Sequence, residues 1–283
     1  MRESVFINSI LNNVEVWYGM TGAEIDEFES LDVMLLRKMM RVPISTPKVA
    51  LYLELGLIPL GIVIKARRIR YLHYLLQQGE EKMLGRFFKA QMNNPSKADW
   101  ILTVRQDLTD FNIDDNMNAI KQLSKTQIKK IVKEKSVELA KKVLFSKKEC
   151  LLKLRHLNYT DLQAQSYLTR SGFRFDEVRT IFLYRVRMYD FGENYRGSKA
   201  SSICPLCNGH PDRQELMIEC KVMREFLKGE CSTKGLDGVY SNDVPVESTE
   251  IVLGMLEFRE NMKERLSQEA LVHQEVVPRV LHS

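Results

Sequence analysis

Apolar residues recur every three or four positions along almost the whole chain, and no other feature restricts the fold as strongly. Ile62, Ala66 and Ile69 form one such stripe, and Ile128 and Ile131 begin another. This is the period of a helix that buries one face. The 14 glycines and 8 prolines are too few for the many tight turns of an all-β fold. The sequence therefore predicts a mainly α fold.

Two predicted helices begin with a capping box. Thr21 is followed by Glu24, and Ser124 is followed by Gln127. At this spacing the hydroxyl accepts a hydrogen bond from a free backbone N–H, and the longer side chain bonds back to the capping residue. Further along, glycine, aspartate and serine are frequent in 228–247, a composition that predicts a linker before a final amphipathic helix.

Positive charge is concentrated in the middle of the chain, although the net charge is only +5. Twelve Lys or Arg residues lie between Lys121 and Arg155, against three acidic residues, whereas the segment after residue 240 is acidic. A basic region favours a polyanionic partner such as nucleic acid. The alternative is a lysine-rich helix face that only contacts water.

The sequence does not have the patterns that direct a chain into or across a membrane. It contains no run of ~18 uncharged apolar residues, the length that a spanning helix needs. The residues after Met1 do not lead into the apolar core and small-residue cleavage site of a secretory signal. We therefore expect a protein that is not secreted and has no membrane partner.

The cysteines indicate a metal site. Cys204 and Cys207 are separated by two residues, and Cys220 follows at a distance that a short loop can span. Five cysteines in a chain of this length do not form a disulfide scaffold. In a reducing compartment, paired cysteines at this spacing predict shared coordination of Zn²⁺ through thiolates.

Several stretches of the sequence resemble a known family. They are EVWYG at 15–19, ALYLELGLIPL at 50–60, IKARRIRYLHYLL at 64–76, FFKAQ at 87–91 and SSICPLC at 201–207. In this order they resemble the part of the non-LTR (LINE-type) retrotransposon polyprotein that follows the reverse transcriptase palm. The resemblance is nearly colinear over about residues 1–225.

The resemblance, together with the charge and composition of the later residues, divides the chain into four segments. A helical, bundle-like thumb and connection would occupy 1–115, and a basic helical region would follow over 116–195. A zinc-knuckle-like, cysteine-rich segment would occupy 196–228, and 229–283 would hold the linker and C-terminal helix. In the family, the thumb and connection grip the template–primer, and the knuckle assists binding of template RNA or target DNA.

Candidate nucleic-acid contacts come from two basic stretches. The expected partner is RNA, DNA or an RNA–DNA hybrid, and no small-molecule substrate is expected. Each Lys or Arg contact with a phosphate releases a condensed counterion, and such contacts position the nucleic acid without reading its sequence. The candidates are Lys65, Arg67, Arg68, Arg70, Lys125, Lys129, Lys130, Lys133, Lys141 and Lys142.

The fourth ligand of the metal site departs from the family pattern. The family has a histidine four residues before the last cysteine, and Leu216 occupies that position here. Three alternatives follow: His210 substitutes for it, Cys231 supplies a fourth thiolate, or the knuckle has decayed and binds zinc weakly or not at all. His210 lies only three residues after Cys207, which makes tetrahedral geometry demanding.

The sequence predicts no catalytic site. A polymerase palm needs clustered carboxylates that hold two metal ions. The one Asp-Asp pair, Asp114-Asp115, falls in a polar stretch without alternating strands around it. We therefore expect a non-catalytic, nucleic-acid-binding fragment that is nuclear or cytoplasmic by resemblance. The alternatives are part of an active RNA-directed DNA polymerase whose palm is absent from this chain, and a helical protein-interaction adaptor.

Overall fold

The computed structural model describes residues 2–17, 20–93, 100–194, 203–230 and 233–275, and a mainly α fold is confirmed. The described ranges contain no strand, and Ile203 and Pro211 form an isolated β-bridge. A π-helical stretch spans Arg2–Ile7, and 3-10 helices span Val14–Val16, Gly192–Asn194, Gln214–Glu219 and Thr233–Tyr240. The α-helices are α1 (Asn8–Ile10), α2 (Gly22–Met40), α3 (Lys48–Glu54), α4 (Leu60–Leu76), α5 (Met83–Asn93), α6 (Trp100–Asp110), α7 (Met117–Gln122), α8 (Lys125–Glu149), α9 (Ser166–Thr169), α10 (Phe175–Arg185), α11 (Lys221–Glu230) and α12 (Val246–Glu275).

The chain divides into two compact units. The first unit comprises Met1–Met40, Pro47–Cys150 and Asp161–Gln163. The second comprises Arg41–Thr46, Leu151–Thr160 and Ala164–Ser283. The lysine-rich helix α8 thus belongs to the first unit, and the metal-site cysteines belong to the second.

Helix α4 is the centre of the first unit. It packs against α2, α6, α8 and the 3-10 turn Val14–Val16. Leu60 and Ile64 are fully buried beside Leu11 and Val14, while Ile69 and its neighbours pack into a second cluster with α6 and α8. A helix that is apolar on most sides lies inside a protein. Polar side chains on α4 therefore need partners within the unit.

Both predicted capping boxes are confirmed. At the start of α2, the Thr21 N–H donates to Glu24 Oε2 over 2.7 Å, and the Glu24 N–H donates to Thr21 Oγ1 over 3.3 Å. At the start of α8, the Ser124 N–H donates to Gln127 Oε1 over 2.8 Å, and the Gln127 N–H donates to Ser124 Oγ over 3.2 Å. At each helix start, two backbone N–H groups therefore find an acceptor, one on each side chain of the capping box.

The prediction of a linker over 228–247 is wrong for the part of it that the structure describes. Residues Thr233–Tyr240 form a 3-10 helix that packs against α12, and Val239 and Val244 are fully buried. The buried Arg185 guanidinium donates to the carbonyl oxygens of Val239 and Ser241. Polar composition predicted an exposed connection, but buried valines and a buried arginine hold this segment in the second unit.

His156 should make the stability of the second unit depend on pH. Its Nε2 donates to the Arg185 carbonyl oxygen over 2.8 Å, while Nδ1 is buried without a hydrogen-bond partner. Burial, followed by the nearby charge of Arg187, lowers the pKa of His156 from 6.5 to about 4. A lowered histidine pKa means that the unfolded chain binds the proton more tightly. This contribution to stability is therefore complete above pH 6.5 and is lost as the pH falls towards 4.

Denaturant unfolding of the wild type and of His156→Gln at neutral and mildly acidic pH would measure this effect. The wild type should lose more unfolding free energy on acidification than the variant, because glutamine does not titrate. Acid effects on other groups are common to both proteins and cancel in the comparison. Parallel pH profiles would show that His156 is not responsible.

Candidate metal centre and basic surfaces

A tight loop brings the first two cysteines together. The Cys204 N–H donates to the His210 carbonyl oxygen over 2.8 Å, and the Asn208 N–H donates to the Cys204 carbonyl oxygen over 3.0 Å. Asn208 adopts a left-handed conformation with φ of 51°, which asparagine tolerates better than most residues. The loop thus folds back on itself between residues 203 and 211.

Four potential ligands converge at this loop. The Sγ atoms of Cys204, Cys207 and Cys220 and a ring nitrogen of His210 all lie within 4.8 Å of one another. The Sγ atoms of Cys204 and Cys220 are 3.9 Å apart. Two thiolates bound to one tetrahedral ion at about 2.3 Å would be about 3.8 Å apart. The cluster can therefore hold a metal ion.

The histidine of the cluster is oriented as a metal ligand. His210 Nδ1 lies 2.9 Å from the Pro211 carbonyl oxygen, so this nitrogen must donate its proton there. The remaining nitrogen, Nε2, is buried and has no hydrogen-bond partner. In histidines that bind metal through one ring nitrogen, a hydrogen bond from the other ring nitrogen commonly fixes the tautomer and the ring orientation. The Nε2 lone pair is then free to bind an ion.

The two thiols of the loop differ in acidity. Burial raises the pKa of Cys204 to about 11, despite hydrogen bonds from the backbone N–H groups of Leu206 and Cys207. Burial also acts on Cys207, but backbone N–H groups of Gly209 and His210, with the neighbouring thiols, outweigh it and lower its pKa. Each cysteine thus accepts from the residues two and three positions later. Such donors stabilise thiolates, the form that binds metal.

An ion pair attaches the metal loop to α12. The carboxylate of Asp212 accepts hydrogen bonds from Arg259 at 2.8 and 3.1 Å and from the Gly192 N–H at 2.7 Å. Arg259 is 2% exposed, and its guanidinium lies 4.6 Å from the centre of the Phe191 ring. The sequence gives no signal for this pairing, because Asp212 and Arg259 are 47 residues apart. These contacts of Asp212 fix the position of the loop that carries the potential ligands.

Of the candidate fourth ligands, the structure gathers His210 with the three cysteines, although the closeness of this residue to Cys207 makes coordination demanding. Leu216, at the position of the family histidine, lies in the 3-10 helix Gln214–Glu219. Cys231 lies outside the described residues. Within the described ranges, Cys204, Cys207, His210 and Cys220 are the one group of three or more His, Cys, Asp or Glu ligands that converge.

The basic residues of α4 are not exposed as one continuous row. The prediction for Arg68 is wrong, because this residue is 2% exposed and its Nε and Nη2 donate to Asp107 at 2.6 and 3.0 Å. Lys65 pairs with Asp110. Arg67 donates to the Leu11 carbonyl oxygen over 2.6 Å. Of the four predicted contacts, Arg70 is the most exposed, although part of its side chain packs against the helix.

The basic residues of α8 remain largely available. The helix carries nine lysines against three glutamates. Lys130 lies 4.0 Å from Glu134, and Lys141 pairs with Asp161 at 2.7 Å. Among the described residues, five exposed lysines of this helix form no ion pair: Lys125, Lys129, Lys133, Lys142 and Lys147.

These lysines occupy two parts of the first unit. Lys125, Lys129 and Lys133 follow one another at four-residue intervals, which places them about 6 Å apart along the helix axis. Lys142 and Lys147 instead line a cavity of about 680 Å³ together with Lys65 of α4. Lys65 of α4 and Lys142 and Lys147 of α8 therefore face one common cavity.

The Asp114-Asp115 pair lies in a loop, as predicted. The loop joins α6 to α7, and the Asp114 carboxylate accepts a hydrogen bond from the Asn116 N–H over 3.1 Å. Asn116 in turn caps α7 through its side chain. The role of Asp114 that the structure supports is to shape this turn.

The comparisons with known proteins returned no match: no family model, no curated protein and no solved structure matches this chain. A search of the described helices for a membrane span found none that combines sufficient length with sufficient apolar content.

Proposed function

We propose that this chain is a non-catalytic nucleic-acid-binding fragment of the post-palm region of a LINE-type reverse transcriptase. Its phosphate-contacting surface is the row formed by Lys125, Lys129 and Lys133, which we call the lysine row. The single observation that carries the proposal is the exposure of these three cations without ion pairs among the described residues. A nucleic-acid backbone supplies the matching series of negative charges.

The lysine row costs α8 electrostatic free energy. Like charges four residues apart repel each other by about 0.2–0.5 kcal/mol per pair. Lys125 also lies in the first turn of α8, where the helix dipole disfavours a cation. A helix that only needed solubility would alternate charges of both signs along such a face. These costs support a role for the lysine row in binding a polyanion.

We propose Zn²⁺ as the ion of the metal centre. Three thiolates and one imidazole form a ligand set that zinc prefers in closed, structural sites. The position of His210, with Nε2 free and Nδ1 bonded to Pro211, supports this assignment. When bound, zinc would hold residues 204–220 as a folded knuckle, with Asp212 and Arg259 fixing its orientation.

Replacing the lysine row by glutamine should weaken binding to an RNA–DNA hybrid and flatten its salt dependence. Each lost phosphate contact reduces the slope of log affinity against log salt by about 0.9 on a duplex, so the triple variant should lose about 3 units of slope. Fluorescence anisotropy with a labelled hybrid, between about 50 and 200 mM salt, measures both quantities.

The matched control removes three exposed lysines from elsewhere in the first unit. Lys38, Lys82 and Lys89 are exposed and lie outside α8, so their replacement by glutamine changes the net charge equally. This control should keep most of the wild-type slope. Equal losses in the two triple variants would indicate a nonspecific charge effect, and absence of wild-type binding at low salt would reject the proposal and favour a protein-interaction adaptor. Primer extension by the purified chain would reject the non-catalytic assignment.

A further inference from the structure

An open pocket on α4 combines positive charge with aromatic rings. It has a volume of about 420 Å³ and is lined by Glu15, Arg67, Arg70, Tyr71 and Tyr74. The four α4 residues are spaced three and four positions apart, so they share one side of the helix. The volume lies within the range of small-ligand pockets. No role in the lysine row or the metal centre involves these residues.

The two tyrosines form a stack that is fixed at its inner end and open at its outer end. The Tyr71 ring meets the Trp100 ring edge-on, with centroids 5.7 Å apart and planes at 86°. Trp100 is buried, and its Nε1 donates to the Glu15 carbonyl oxygen over 2.7 Å. Tyr74 lies against Tyr71 with centroids 5.7 Å apart and planes at 25°. Since Tyr74 is 49% exposed, a planar group can extend the stack.

The two arginines place positive charge beside this stack. The Arg67 guanidinium is held by the Leu11 carbonyl oxygen at 2.6 Å and by Asn8 Oδ1 at 2.9 Å. Arg70 donates through Nε to the Ala66 carbonyl oxygen over 3.2 Å. Among the described residues, neither arginine forms an ion pair with a carboxylate. Burial and then the charge of Arg67 lower the pKa of Arg70, and Glu15 offsets this in part.

We infer that this pocket binds one nucleotide of a single-stranded nucleic acid, with the base stacked on Tyr74 and the phosphate bound by Arg70 and Arg67. This inference rests on the proposed function and adds that this pocket of the first unit recognises an unpaired strand. Stacking on aromatic rings accepts any base, because every base has a flat face. The paired bases of a duplex already stack on one another, so a duplex cannot use the Tyr74 surface.

The test compares Tyr74→Leu and Tyr74→Phe on single-stranded RNA and on duplex RNA of the same length. Loss of a base-stacking ring weakens single-strand binding by about 5- to 150-fold, so Tyr74→Leu should show a loss in this range. Tyr74→Phe keeps the ring and should stay within about twofold of wild type. Arg70→Gln should lower the single-strand salt slope by about 0.7. An oligonucleotide carrying 2-aminopurine should be quenched by wild type and by Tyr74→Phe only.

The outcomes separate this inference from the proposed function. If the wild type binds none of the single-stranded RNA, the duplex RNA and the RNA–DNA hybrid, the proposed function itself fails. If it binds the hybrid but not the single-stranded RNA, the nucleotide pocket is rejected and the proposed function stands. If the wild type binds RNA and Tyr74→Leu leaves single-strand affinity unchanged, the nucleotide pocket is rejected and the proposed function stands. Equal loss of single-strand and duplex binding in Tyr74→Leu would also reject the pocket, because stacking acts on unpaired bases alone.

Discussion

Replacing Cys204 by serine is expected to abolish stoichiometric zinc binding and to lower the melting temperature of the protein. The wild type should contain about one zinc ion per chain, and the variant should contain little. Binding of structural zinc is worth about 10–16 kcal/mol in small zinc-finger peptides, and that free energy stabilises the fold. At about 2–4 °C per kcal/mol for a chain of this size, loss of that free energy should lower the melting temperature by about 20 °C or more.

Cys150→Ser is the matched control, since Cys150 is an exposed free thiol outside the cluster. This variant should keep both its zinc and its melting temperature. Zinc affinity of the wild type should weaken as the pH falls, because Cys204, whose pKa burial raises to about 11, must lose its proton to bind metal. Elemental analysis and thermal unfolding measure these effects. A metal-to-protein ratio near zero in the wild type would contradict the zinc assignment.

Replacing Arg68 by alanine is expected to destabilise the first unit by about 3–5 kcal/mol, because it leaves the Asp107 carboxylate buried without its partner. Asp107→Ala should cost a similar amount for the converse reason. At about 2–4 °C per kcal/mol for a chain of this size, the melting temperature should fall by about 6–20 °C. Burial already raises the pKa of Asp107 even though Arg68 opposes it, which shows how costly the charge is there.

The double variant Arg68→Met, Asp107→Leu distinguishes a structural role from a phosphate contact. It removes both charges together, so it should recover most of the stability lost in either single variant. Arg68 Nη1 is buried without a hydrogen-bond partner, which favours this recovery. The double variant should also keep the wild-type salt slope for nucleic-acid binding. A lower salt slope in the double variant would indicate that Arg68 contacts a phosphate. Lys89→Ala, which breaks the exposed pair with Glu80, should leave the melting temperature almost unchanged.

Features that depend on nearby residues could be predicted from the sequence, and those that depend on distant residues could not. The capping boxes of Thr21 and Ser124 reach only three residues along the chain, so their pattern is visible in the sequence. Arg68 resembled its basic neighbours in sequence, and its burial follows from Asp107, which lies 39 residues away on another helix. The sequence reveals which residues are charged, but tertiary packing decides which of them remain free.

The same distinction applies to the candidate site. The spacing of Cys204 and Cys207 indicates a shared ion, and both appear in the cluster. The participation of His210 depends on a backbone reversal at Asn208 and on the Pro211 carbonyl oxygen, which no spacing rule contains. The stack of Tyr71 and Tyr74 on Trp100 likewise needs α4 and α6 to pack before it exists.

The ion pair between Asp212 and Arg259 has a consequence for the order of events during translation. Asp212 is synthesised 47 residues before Arg259, which at about 5–20 residues per second means a delay of about 2–9 s. The three cysteines and the histidine of the cluster are all synthesised by residue 220. A nascent chain therefore contains these four ligands before Arg259, the partner of Asp212, is synthesised. Metal capture can therefore precede docking of the last helix, and a ribosome that stalls in between would leave a loaded but unanchored loop.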